Sequence, residues 1–164
     1  MKLFVFLFLC AINSCFASQE LYLRKLYYAS VESKDSSEKF SEIMEALDAK
    51  KNPILLCFKG MSYMIQAKHS SNPFSKLSAF NKGKEFLDLA AKYDSEIAEV
   101  RFMRFAVQTN APSMLNYNQH INEDKELLIK AWKTGISDLD LKQKIKEFML
   151  KSTYCSAIEK SVFK

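Results

Sequence analysis

Three glycines and three prolines in 164 residues are too few for a fold built on many tight turns. No segment alternates apolar and polar residues for long either, so an all-β chain is excluded. Histidine occurs only twice and no Cys-x-x-Cys pair exists, so neither a structural zinc site nor a dithiol redox motif is signalled. Gly-x-Ser-x-Gly, a glycine-rich phosphate loop and a dinucleotide fingerprint are all missing. No cofactor and no metal is implied. No apolar run reaches the roughly 20 residues that a membrane-spanning helix needs.

The longest apolar run is Leu3 to Ile12, preceded by Lys2 and followed by small and polar residues. A basic start, an apolar stretch of about 7–15 residues and a small-residue exit make a secretory signal peptide. Cleavage after Ala17 assigns residues 1–17 to the signal and 18–164 to a single α-helical domain. The alternative keeps Cys15 as the acylated cysteine of a lipoprotein signal, to which Asn13 is a poor fit, so simple cleavage is preferred. The expected location is therefore periplasmic or secreted, with a lipid anchor through Cys15 as the variant. Losing Lys2 and no acid lowers the formal charge from +5 to +4. Lysines interspersed with acids do not form the basic stripe of a nucleic-acid binder, so no nucleic-acid partner is expected. Two cysteines remain beyond the signal, Cys57 and Cys155. An exported chain can bridge such a pair, but Cys57 sits in Ile54-Leu55-Leu56-Cys57-Phe58 and reads better as a small core hydrophobe.

Periodicity near 3.6 residues is frequent, and the fold class it predicts is all-α. A first helix runs from about Ser18 to Ser33. Asp35 with Glu38 marks a second start, followed by Phe40, Ile43, Met44 and Leu47 at helical spacing. Asn52-Pro53 and Asn72-Pro73 each place a capping amide before a proline at the first helical position. The helix Ile54 to Lys68 is apolar nearly all round and should be central. Its Gly60 costs about 1 kcal/mol against alanine, and close approach of a neighbouring helix is the expected compensation. Asp94-Ser95-Glu96 opens the helix through Val100, Phe102 and Phe105. Further helices are expected from about Asn118 to Trp132, from Ser137 to Leu150, and from Thr153.

Met44 to Asp48 can be set over Leu87 to Ala91, a weak repeat of about 43 residues. Tetratricopeptide repeats recur at 34 with characteristic Trp, Gly and Tyr positions, and those are missing. The predicted architecture is a compact, degenerate tetratricopeptide-like array of antiparallel hairpins with about six or seven helices. The strings Gln66-Ala67-Lys68-His69, Asn72-Pro73-Phe74-Ser75-Lys76-Leu77 and Lys82-Gly83-Lys84 carry a resemblance. So do Val100-Arg101-Phe102, Arg104-Phe105, Gln108-Thr109-Asn110-Ala111-Pro112 and Glu123-Asp124-Lys125. Over roughly Asn52 to Lys130 the chain resembles an uncharacterised family of exported bacterial helical proteins, tetratricopeptide-like in architecture. The resemblance implies export and a helical fold, and supplies no catalytic residues.

Hydrogen-bonding side chains concentrate between Arg101 and Leu128. Arg101 and Arg104 share a face of an apolar helix, with Gln108 one turn on. Structurally they would pair with Glu123, Asp124 or Glu85 and tie one hairpin to the next, because a buried guanidinium left unpaired is costly. Functionally they could clamp a carboxylate, which guanidinium meets with two parallel hydrogen bonds. The break at Asn110-Ala111-Pro112 leads into a loop bearing Asn116, Tyr117 and His120. Asp124, four residues after His120, would share its face. The expected binding groove comprises Arg101, Arg104, Gln108, Asn110, Asn116, Tyr117, His120 and Asp124. The function this predicts is a non-catalytic module of the bacterial cell envelope that binds an envelope protein or peptide. The alternative is a small-molecule or metal-dependent enzyme using His120, Asp124 and Arg101.

Overall fold

Helix-start signals set the architecture. In the computed structural model, Asn52 Oδ1 accepts from the backbone N–H groups of Ile54 and Leu55 at 2.9 and 3.1 Å. Asn72 Oδ1 accepts from Phe74 and Ser75 at the same two distances. Each amide satisfies two donors that a helix start leaves unpaired. The structure describes residues 19–164. The expected signal peptide at 1–17, its cleavage after Ala17 and the anchor at Cys15 lie outside the described residues.

Among those residues the fold is all-α, with eight helices and no strand. They are α1 over residues 19–32, α2 Lys34–Ala46, α3 Pro53–His69, α4 Pro73–Tyr93, α5 Ala98–Asn110, α6 Ile121–Thr134, α7 Leu139–Lys151 and α8 Ala157–Ser161, with a single 3₁₀ turn at Ser113–Leu115. Eight exceeds the six or seven expected. The cap of α2 is Ser33, whose hydroxyl accepts from Ser36 N–H, so the start lies two residues before Asp35. Asp138 caps α7, which begins at Leu139, two residues after the expected start at Ser137. A full capping box between Ser156 and Glu159 opens α8. No helix among the described residues is long and apolar enough to cross a membrane.

The described chain packs as two compact units, one running through Phe86 and the other Leu87–Lys164. In the first, α2 and α3 run antiparallel, with Glu45 facing Lys59 and Tyr63 while Ser41 faces Gln66. Phe40, Met44, Leu56, Cys57, Phe58 and Met61 form the buried interior of this pair, and Phe40 meets Phe58 edge to face at 6.5 Å. The last turn of α3 is tied to α1: His69 Nε2 lies 2.9 Å from Ser30 O, and Lys68 Nζ donates to Val31 O at 2.6 Å. His69 thus meets a carbonyl of α1. Close approach at Gly60 occurs as expected, and its partner is Gly83 on α4. A Cβ on Gly83 would stand 2.9 Å from Gly60 O and 3.0 Å from Met64 Cε.

In the second unit α5 and α6 pack extensively against each other. Phe102, Phe105, Ile121, Leu128, Leu141, Ile145, Met149 and Phe163 make one buried apolar cluster joining α5, α6, α7 and the C-terminal turn. Trp132 packs on Phe163 at 5.1 Å and carries Lys142 Nζ over its ring at 5.1 Å. Cys57 and Cys155 are both buried and neither is in a disulfide.

Candidate functional site

Asp124 occupies the centre of the α5–α6 interface, fully buried in the first turns of α6. Its Oδ1 accepts from Arg101 Nη1 at 2.9 Å and from Arg104 Nη2 at 2.7 Å. Its Oδ2 accepts from Arg104 Nε at 2.8 Å and Gln108 Nε2 at 2.9 Å. Arg104 therefore grips the carboxylate with two parallel bonds, the strong geometry for this pair. Three α5 residues at 101, 104 and 108 reach one carboxylate because they stack on one helix face.

The remaining guanidinium donors are also committed. Arg101 Nη1 reaches Glu123 Oε1 at 2.8 Å, and its Nε donates to Ser95 O at 2.8 Å, fixing the turn before α5. Arg104 Nη1 reaches Asp88 Oδ1 at 3.4 Å, and Asp88 also accepts from the Tyr117 hydroxyl at 2.9 Å. The α4 carboxylate in the cluster is thus Asp88 rather than Glu85, almost one helical turn further on. Two cations face three carboxylates, and no buried side-chain polar atom among the described residues lacks a hydrogen-bond partner.

Electrostatics follow from this crowding. Burial pushes the Arg104 guanidinium toward losing its proton, but Asp124 outweighs it and holds the cation above its ordinary value. Burial raises the Tyr117 phenol, and the Asp88 carboxylate raises it further. At Glu123 slight burial acts upward, while hydrogen bonds from His120 and Arg101 prevail and lower it.

The expected groove residues therefore separate into two groups. Arg101, Arg104, Gln108, Tyr117 and Asp124 are all buried, none more than 3% exposed. Their polar atoms are spent on one another, on Asp88 and Glu123, and on nearby backbone. They form a closed clasp and do not line an open groove. The physical reason is the desolvation cost of two guanidinium groups, which is offset only when each donor finds an acceptor inside. Asn110 and Asn116 stay exposed. Asn110 Nδ2 bonds back to Ala106 O at 2.8 Å, and Asn116 takes the left-handed conformation at φ 47° that closes the 3₁₀ turn.

His120 does not join Asp124. It is the N-cap of α6, with φ −109° and ψ 9°, so the rule that residues four apart share a helix face does not reach it. Its Nδ1 lies 2.8 Å from Glu123 Oε2, the N-cap to N3 relation. Its backbone N–H donates to Gln108 Oε1 at 2.9 Å. Among the described residues no group of three or more His, Cys, Asp or Glu is placed to hold a metal ion.

An open cavity lies elsewhere, within the first unit. It measures about 420 Å³ and is lined by Tyr63 and Gln66 of α3 and by Phe74, Ser75, Ser78, Ala79 and Lys82 of α4. Phe74 is 85% exposed. The one sequence signal for the cavity was a phenylalanine just inside a capped start, on the polar side of the helix.

Comparison of the chain with protein-family models, with curated proteins and with solved structures finds no match.

Proposed function

We propose that this chain is an exported, non-catalytic interaction module of the bacterial cell envelope, and that it binds a protein or peptide segment in the α3–α4 groove. One observation carries the reading: an open groove of about 420 Å³ whose edge presents Phe74 almost wholly to water. The volume falls in the range of ligand sites, about 300–1,000 Å³. Leu77, three residues on and so on the same face of α4, is also exposed. Contiguous exposed apolar surface of this kind marks interaction sites where a lone exposed side chain would not. The closed state of the Arg101–Arg104–Asp124 clasp supports the same choice, since it directs binding away from the α5–α6 break. Export rests on the basic, apolar and small-residue pattern of residues 1–17.

Affinity capture from envelope extract tests the reading. The wild-type chain should enrich a specific partner, and Phe74→Ser should lose it while keeping the helical circular dichroism and thermal midpoint. Capture that survives Phe74→Ser and Ser78→Arg alike would reject the groove. Mass spectrometry of the mature N-terminus checks export: Ser18 or an acylated Cys15 supports it, and an intact Met1 in the envelope-bearing host contradicts it.

A further inference from the structure

The α3 wall of the groove is held in place from both sides. The Tyr63 ring stacks on Phe86 at 5.7 Å with only 4° between planes, and its hydroxyl donates to Glu45 Oε1 at 2.9 Å. Glu45 also faces Lys59 Nζ at 3.7 Å. Gln66 Nε2 donates to Ser41 Oγ at 2.8 Å. A wall fixed before binding loses little side-chain entropy when a partner arrives. On the α4 side the Asn72 cap anchors the first turn, which sets Phe74 and Ser75 at one end of the groove.

Chemistry differs between the two ends. Phe74 and Ala79 are apolar, whereas Ser75 and Ser78 can donate or accept and so discriminate little. Lys82 is the one lining residue with a formal charge. Its Nζ rests 5.5 Å above the Tyr63 ring, an exposed cation–π contact worth only about 0.5–1 kcal/mol. A carboxylate can approach that ammonium without displacing it from the ring. Eight residues along α4 separate Phe74 from Lys82, about 12 Å of helix.

We propose that the α3–α4 groove takes a partner segment bearing an aromatic or aliphatic side chain and, about 12 Å further along, a carboxylate. The apolar group packs against Phe74, and the carboxylate pairs with Lys82, whose ammonium already covers the Tyr63 ring. This rests on the interaction-module reading and names the class of partner that reading requires.

Fluorescence anisotropy on the full chain tests it with three labelled extended peptides of equal length. Each carries one phenylalanine and, about four residues or 12 Å further on, a Glu, a Gln or a Lys. The Glu peptide should bind tightest, by about two- to fivefold over the Gln peptide, the size of one exposed ion pair. Lys82→Glu should reverse the order of the Glu and Lys peptides, and Phe74→Ser should weaken all three. Equal binding of the three, or an order that Lys82→Glu leaves unchanged, overturns the carboxylate partner and leaves the groove reading standing. Binding indifferent to Phe74→Ser, or seen only with anionic phospholipid vesicles, overturns both.

Discussion

Two helix pairs, α3–α4 in the first unit and α5–α6 in the second, solve the same problem of holding antiparallel helices together by opposite chemistry. In the first, α3 and α4 approach until Gly60 and Gly83 nearly touch, and aromatic rings such as Tyr63 and Phe86 stack across the contact. The fully buried charged side chain described in this unit, Arg24, belongs to α1 and not to the α3–α4 pair. Lys59 meets Glu45 of α2 at 3.7 Å with the carboxylate half exposed. In the second, α5 and α6 enclose a charged centre, with Asp124 fully buried between two arginines. Apolar close packing tolerates modest change at its edges. A buried ion cluster does not, because removing one member strands the rest in a poor solvent for charge.

The largest expected effect therefore lies in the second unit. Asp124→Ala removes the acceptor of four hydrogen bonds and leaves two buried guanidinium groups short of a partner. Breaking such a cluster costs about 3–5 kcal/mol. Urea unfolding should report the loss, and hydrogen exchange should place it in α5 and α6. A cost below 1 kcal/mol would mean that the arginines readily find other acceptors, and the contrast between the units would fail.

Next in size is the glycine contact of the first unit. Gly83→Ala gains helix propensity, up to about 1 kcal/mol, yet its new methyl meets a backbone oxygen that cannot rotate away. Overpacking of this kind costs about 1–3 kcal/mol, so a net loss of stability is expected in thermal unfolding. A more stable Gly83→Ala would show that α3 and α4 can separate freely. Smaller again is Tyr117→Phe, which keeps the buried ring and deletes its bond to Asp88. About 1 kcal/mol is expected, read from the urea midpoint. No change would place the phenol outside the clasp's energetics.

Much of the framework was legible in sequence because capping is local chemistry. Asn52-Pro53 and Asn72-Pro73 could act only as helix starts, and both do. The pairing of Arg101 and Arg104 with Glu123 and Asp124 was legible too, since cations on an apolar helix need buried acceptors. What escaped depended on where a helix begins or on long-range register. His120 pairs with Glu123 because it is the cap of a helix that begins at Ile121, three residues after the expected start at Asn118. Asp88 replaces Glu85 because only the packed register decides which α4 carboxylate faces Arg104. The groove left no periodic trace, since Ser75, Ser78 and Lys82 are what any solvated helix face displays.

The smallest expected effect is electrostatic and confined to the end of the second unit. Glu159 closes the α8 capping box by accepting from Ser156 N–H at 2.7 Å, and it pairs with Lys125 at 2.9 Å. The Ser156 backbone bond first, then the Lys125 ammonium, pull its carboxyl from the ordinary 4.5 down to about 2, against a slight upward push from burial. A carboxylate favoured in the folded state stabilises it above the unfolded value, and that contribution fades as pH falls from about 4.5 to about 2. Glu159→Gln retains the reach of the capping box and removes only the charge. The wild-type chain should therefore exceed the variant in stability by a constant, small margin above about pH 4.5, and the margin should close on acidification through that window. Urea midpoints of the two chains at a series of pH values measure it. A margin that persists at the acid end would assign the stabilisation to hydrogen-bond shape rather than charge, and α8 would then be held as the α3–α4 pair is, by fit.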